Sequence, residues 1–178
     1  MSDRIIELRL ENRRLKEQVQ SLEDKVLSLV GAINIQSSGV FANTKHALND
    51  LILELLRETE NRLNIVSPKI GKFYATEIKN LAAKGIEIFI ITNDRGGMPG
   101  EHRLIYDEIK SIDGVKVVNN PNVRYLLVFN SKNAIYSGGS LDKDELEKSI
   151  LIATTVESKS KLKKISEIFN MMLPSFMR

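Results

Sequence analysis

Ala82-Ala83-Lys84-Gly85-Ile86-Glu87-Ile88-Phe89-Ile90-Ile91-Thr92, at the middle of the chain, joins the end of one element to the start of the next. From Ile86 to Thr92 the side chains are β-branched or aromatic at nearly every position, which predicts a strand inside a sheet whose two faces are both covered. The alanines before it close a helix predicted over residues 73–84, and Gly85 is a favourable stop because glycine adopts the left-handed conformation that ends a helix. Upstream, Leu63 to Ser67 is a short apolar strand halted by Pro68. Before that, Leu48, Leu51, Ile52, Leu55 and Leu56 lie on one helical stripe, with Asn43-Thr44 as the cap. Downstream, a glycine-rich loop over 93–100 leads to a helix over 102–112, and Asp113-Gly114 turns the chain into a strand over 115–118. Strands over 123–129, 134–137 and 149–154 and an amphipathic helix over 156–169 complete the chain. The order β-α-β-α-β-β-β-β-α predicts an α/β domain, a mixed β-sheet sandwiched by helices.

The first segment follows a different rule. Leu8, Leu15, Leu22 and Leu29 recur every seven residues, and Ile5, Asn12, Val19, Val26 and Ile33 recur at the interleaved spacing. Leucine at d with mostly β-branched residues at a favours a two-stranded parallel coiled coil, and a single Asn at a disfavours other registers and oligomers. Residues 1–34 therefore read as a dimerisation rod about 45 Å long at about 1.5 Å per residue. Glu11 can reach Lys16 of the partner helix, whereas Arg4 and Arg9 in the same relation repel, so charge adds little to the pairing. No strongly basic stretch precedes the heptads, which argues against a leucine-zipper DNA-binding region. Gln36-Ser37-Ser38-Gly39 breaks the repeat and reads as a hinge, placed at 35–42, before an α/β domain over 43–178.

Composition narrows the chemistry. The chain has 178 residues, 42% hydrophobic and 28% charged, enough to bury a core. It has no cysteine, which excludes disulfides, thiolate metal sites and a cysteine nucleophile. With only His46 and His102, a histidine-rich metal centre is not expected, and no cofactor is implied. No apolar run is long enough for a membrane span and no signal peptide opens the chain, so a soluble, cytoplasmic protein is expected. A net charge of +3 is too mild to argue for nucleic acid by itself.

Ile65-Val66-Ser67-Pro68, the Ala82–Thr92 stretch, Asn122-Val123-Arg124 opening a strand, and Gly138-Gly139 together resemble the phospholipase D superfamily over about residues 40–176. Enzymes of that superfamily carry His-x-Lys-x4-Asp and then a Gly-Ser or Gly-Gly turn with an Asn two residues on. The resemblance implies that His is the nucleophile and Lys stabilises the phosphoryl charge. Here those positions fall on Arg124, Leu126, Ser131 and Gly138-Gly139, with Leu141 in place of the Asn. Arginine stays protonated and leucine cannot stabilise an anion, so the resemblance implies a catalytically inactive relative. The outline is also similar to the effector-binding domain of TrmB-like transcription regulators, which joins a winged helix through a coiled coil to a degenerate version of this fold. This sequence opens at the coiled coil, without the winged helix.

In open α/β sheets ligands sit beyond the carboxyl ends of the strands. The expected ligand site is therefore Lys69, Thr92, Asn93, Arg95, Arg124, Gly138, Gly139 and Ser140, where glycine-turn amides and cations suit an anion. The plainer alternative is ordinary turns with solvated Lys69 and Arg95. Lys159, Lys161, Lys163 and Lys164 are candidates for nucleic-acid contact, or else the solvated face of a helix buried through Leu162, Ile165, Ile168 and Phe169. His102 with Asp107-Glu108, and His46 with Asp50, read chiefly as exposed helix faces. Met171, Met172, Phe176 and Met177 form an apolar tail for the core or a partner. The expectation is a non-enzymatic homodimeric regulatory or scaffolding protein that binds an anionic ligand or a protein partner. Nucleic-acid binding in transcription or DNA maintenance is the alternative, and a residual phosphodiesterase or nuclease using His102 ranks behind both.

Overall fold

The computed structural model describes residues 11–19, 33–38 and 48–177. The chain divides into two compact units, Met1–Asn34 and Ile35–Arg178. In the first, residues 11–19 form helix α1, on which Leu15 and Val19 are each 54% exposed and Arg13 pairs with Glu17 one turn on at 3.3 Å. The other heptad positions, Ile5, Leu8, Leu22, Val26 and Leu29, lie outside the described residues, as do Asn43-Thr44 and His46.

The second unit is built on strands β2 (Arg62–Ser67), β3 (Glu87–Thr92), β4 (Val115–Asn119), β5 (Leu126–Phe129), β6 (Ala134–Ser137) and β7 (Leu151–Val156). Their spatial order is β7-β6-β5-β2-β3-β4. β2, β3 and β4 run parallel, and β5, β6 and β7 each run antiparallel to the neighbour before them. The mixed sheet expected from the strand and helix order is the one observed. Ile33–Ser38 is strand β1, at the edge beside β7, where the sequence suggested the end of the rod and a hinge. Ile33-Asn34-Ile35-Gln36 alternates apolar and polar residues at period two, which suits a strand on an otherwise open sheet edge.

Parallel neighbours need crossovers, and α3 (Lys72–Ala83) and α4 (Gly100–Lys110) supply them between β2, β3 and β4. With α2 (Leu48–Arg57) and α5 (Lys143–Lys148) they cover one face, packing on Leu63, Ile65, Ile88, Ile90, Leu126 and Val128. Helix α6 (Lys159–Met172) covers the other face, where Leu162 and Phe169 pack on Val66, Phe89, Ile91, Leu127 and Phe129. Successive side chains of a strand point to opposite faces. This is why Ile88-Phe89-Ile90-Ile91 is apolar at every position and fully buried. At the end of α3, Gly85 has φ 84, its N–H bonds Ala82 O at 2.9 Å, and Ile86 N–H bonds Leu81 O at 3.2 Å. This is the left-handed closure expected of that glycine.

Several boundaries differ from expectation. The strand predicted over 123–129 pairs only from Leu126, because Pro121 and Asn122 make a turn in which Val123 N–H bonds Asn120 O. The strand predicted over 149–154 is Leu151–Val156, and α6 starts only after Ser158. Helix α5 was not foreseen, although Asp142-Lys143-Asp144-Glu145 has the spacing of a capping box. Asp142 Oδ1 accepts from Glu145 N–H at 3.0 Å, as that signature predicts. In the terminal tail Met172 and Met177 pack against the α6-side core, while Met171 and Phe176 are exposed. Among the described residues no helix is long and apolar enough to cross a membrane.

Candidate functional site

The carboxyl ends of β2, β3 and β6 meet at one end of the sheet, where β5 begins, as the register requires. Their loops satisfy one another's polar groups. Leu141 N–H donates to Ser67 Oγ at 2.8 Å, and Gly71 N–H donates to Leu141 O at 2.9 Å. Thr92 Oγ1 donates to Pro68 O at 3.2 Å, and Asn120 N–H to Thr92 O at 2.8 Å. The Asn93 side chain stands 3.1 Å from Asn120 O and 3.3 Å from Val123 O, to which its nitrogen donates.

The cations expected to face a ligand here are largely engaged. Lys69 Nζ lies 3.0 Å from Glu145 Oε2. Arg95 holds Asp107 through two bonds, 2.7 Å from Nε and 2.6 Å from Nη2. The hydrogen bond to Arg95 holds the Asp107 carboxyl below its ordinary range. Arg124 is exposed, and its Nη1 turns back to Pro121 O at 2.8 Å and Val123 O at 2.9 Å. Gly138 and Gly139 are half-buried behind β6, and Ser140 is 4% exposed. The strand ends thus assemble the expected residues, but with internal counter-ions in place of open positive charge.

The most buried charged pair at this end joins two residues that the sequence reading does not connect. His102 Nε2 on α4 stands 3.3 Å from Asp142 Oδ2, with the two side chains only 14% and 19% exposed. His102, read as an exposed helix face, is thus packed inward, because α4 begins at Gly100 and turns it over the β6–α5 loop. Gly71 makes room for the carboxylate. A Cβ there would stand 2.5 Å from Asp142 Oδ2 and 2.8 Å from Cγ. Burial raises the Asp142 pKa, yet the Glu145 N–H, His102 and Lys69 together leave it below its ordinary 3.8.

A histidine–carboxylate pair is suited to proton transfer where a substrate can reach it. Here the cavity beside His102, walled by Ile70, Ile90, Met98 and Tyr106, holds about 10 Å³. That is about one water and excludes a phosphodiester. His102 Nδ1 is buried with no partner among the described residues. A group whose folded pKa is depressed adds stability above its unfolded value, and that stability is lost as pH falls through the folded pKa. Asp142 therefore protects the domain above about pH 3.8, with the loss coming below it. Asp142→Asn is expected to be less stable at neutral pH, and its unfolding midpoint is expected to fall less on acidification below that value, as followed by circular dichroism. An unchanged acid limb would reject the assignment.

No protein-family model matches the sequence, and no curated protein does. Among solved structures, NucT from Helicobacter pylori superposes with a TM-score of 0.63 at 15% identity, over 79% of this chain and 95% of that one. Nuc from Salmonella typhimurium, a phospholipase D family member, gives 0.65 at 10% identity, over 78% of this chain and 92% of that one. The fold is phospholipase D-like. TrmBL2, an archaeal chromatin protein that shows a novel mode of DNA binding, gives 0.56 at 13% identity, over 90% of this chain and 64% of that one. At such identities the likeness is one of fold.

Within the phospholipase D-like domain, the positions aligned with the superfamily motif do not converge on an open site. Leu126 is 0% exposed among core side chains, and Leu141 is likewise fully buried. Arg124 and Ser131 flank β5 at its opposite ends, both exposed. Among the described residues no group of three His, Cys, Asp or Glu side chains is placed to hold a metal ion. On α6, Lys159, Lys163 and Lys164 are exposed and make no ion pair among the described residues. Lys161 differs from them, because its helix position turns it inward: it is half-buried, with Nζ buried and without a hydrogen-bond partner.

Proposed function

We propose that this chain is a non-enzymatic, homodimeric regulatory or scaffolding protein whose phospholipase D-like domain acts by binding. The observation that carries the reading is the pair at the superfamily's nucleophile and lysine positions. Arg124 has its guanidinium turned onto backbone carbonyls, and Leu126 is sealed in the core. A protonated arginine cannot act as the nucleophile, and a leucine cannot stabilise a phosphoryl charge. The apolar stripe of Leu15 and Val19 on α1, in line with Asn12, supports pairing of two copies through residues 1–34. The test is hydrolysis of bis(p-nitrophenyl) phosphate by the full chain. The expected rate equals that of buffer, with and without His102→Ala, whereas turnover abolished by His102→Ala would establish a residual phosphodiesterase.

Nucleic-acid binding is a second reading, supported by the TrmBL2 likeness over most of this chain and by the unpaired Lys159, Lys163 and Lys164. It predicts anisotropy of labelled DNA that falls as salt rises, since each phosphate contact releases counter-ions. Replacing those three lysines by glutamine is then expected to flatten the salt dependence by up to about three contacts' worth of slope. Binding that salt does not alter would exclude this reading.

A further inference from the structure

At the opposite end of the sheet from the glycine turns, the start of β2, the end of β5 and the first half of α6 enclose an open cleft of about 340 Å³. Arg62, Lys159 and Lys163 line it, and among the described residues no carboxylate does. Its volume falls in the range of small-molecule sites, about 300–1,000 Å³.

Arg62 is the unusual residue. Its Nε donates to Asn64 Oδ1 at 2.8 Å, its Nη2 donates to Asn170 Oδ1 at 3.3 Å, and its guanidinium carbon sits 3.9 Å above the Phe89 ring. These contacts hold the guanidinium plane in place using neutral groups only. The nearby carboxylates are committed elsewhere, Glu87 to Lys116 at 2.6 Å and Glu60 to Lys132 at 2.7 Å. Half-burial of a cation without a counter-ion within 4 Å among the described residues is unfavourable unless an anion completes it. Burial also weakens the hold of Arg62 on its proton, an effect partly offset by Glu87.

The walls divide by chemistry. Arg62, Lys159 and Lys163 supply charge for a phosphate. Asn61, Ser131 and Ser166 also line the cleft and make no side-chain hydrogen bond among the described residues, so they can meet hydroxyl groups. Asn130 is not available, because its amide already binds Leu55 O and Thr59 Oγ1 and its oxygen accepts from Lys132 and Asn133 N–H.

We infer that this cleft binds a small phosphate ester with a hydroxylated body, anchored by Arg62 and closed over by Lys159 and Lys163. The site is separate from the strand ends and stands whether or not those are catalytic, so the diester assay and the binding assay fail independently. A pinned guanidinium suits the flat, two-point contact that a phosphate accepts, and lysine cannot reproduce it.

The experiment is calorimetric titration of the full chain with ribose 5-phosphate, AMP and adenosine. Both phosphates are expected to bind and adenosine is not; ribose 5-phosphate alone would place the ligand among sugar phosphates, and AMP alone among nucleotides, either outcome supporting the site. Arg62→Lys is expected to weaken binding about tenfold to a hundredfold, as the loss of charge-assisted bonds implies. Lys163→Gln on the helix surface gives a second reading independent of the Arg62–Phe89 packing, with about a tenfold loss expected. Lys72→Gln, on the exposed start of α3 and away from the cleft, is expected to bind as the parent does. No binding of either phosphate, equal binding of adenosine, or undiminished binding by both Arg62→Lys and Lys163→Gln would overturn the inference. So would a single-stranded oligonucleotide that binds through Lys163 when neither small phosphate does, which would assign these lysines to a polynucleotide.

Discussion

Leu126→Lys is expected to destabilise the domain by several kcal/mol, close to the whole stability of a typical domain of about 5–15 kcal/mol. Leu126 is 0% exposed, sits among Ile65, Val128 and Ile135, and has Ser137 as its cross-strand neighbour. An ammonium placed there finds neither water nor a carboxylate. Burial of an unpaired charge is among the few mechanisms that produce losses of this size. Two companions calibrate the result in urea denaturation. Leu126→Met keeps volume and apolarity and is expected to cost less than about 1.5 kcal/mol, and Leu126→Ala leaves a cavity and is expected to cost about 2–5 kcal/mol. A lysine variant as stable as the methionine one would mean that the position opens onto a polar site, and the binding-only reading of this domain would fall with it.

The second large effect concerns assembly. Leu15→Lys combined with Val19→Lys is expected to convert a dimer into a monomer. Both side chains are half-exposed on α1 and fall on one stripe with Asn12, at the a and d positions of the heptad. Burial of such a side chain contributes about 1.5–3 kcal/mol, and a dimer contains both residues twice, so the loss is on the order of 6–12 kcal/mol. That corresponds to at least about four decades in the dissociation constant. Light scattering on the eluting peak should give twice 20.1 kDa for the parent and 20.1 kDa for the variant. A parent chain that is already monomeric at tens of micromolar would reject the zipper. A variant that stays dimeric would place the contact on the α/β domain.

Much of the architecture was readable because it depends on local, periodic information. The Ile86–Thr92 run is apolar throughout because helices cover both faces of β3, and Gly85 ends α3 through hydrogen bonds that span only a few residues. Strand edges were less legible. Val123 and Tyr125 have strand-forming side chains, yet the Pro121 turn delays the ladder to Leu126, and the Ile33–Ser38 strand was hidden by its overlap with the heptad repeat. The capping signal at Asp142-Lys143-Asp144-Glu145 stands alone in the sequence, since a helix as short as Lys143–Lys148 shows almost no periodicity.

The candidate site was legible in place but not in charge. By itself the sequence determined the α/β alternation and the polar strand ends, and it put Arg124 and Leu126 where the phospholipase D resemblance implies His and Lys. Which cations remain open was decided by the tertiary structure alone. Arg95 meets Asp107 because α4 folds back over the loop that precedes it, and Lys69 meets Glu145 because β6 lies parallel to β2 and carries α5 to the same end. His102 meets Asp142 for the same reason. At the other end, Arg62 is left with neutral partners beside Lys159 and Lys163, because α6 crosses the sheet near the start of β2. Apolar burial repeats along the chain and can be read there, whereas the pairing of a charge depends on distances of a few ångströms between residues far apart in sequence, which the order of the strands sets.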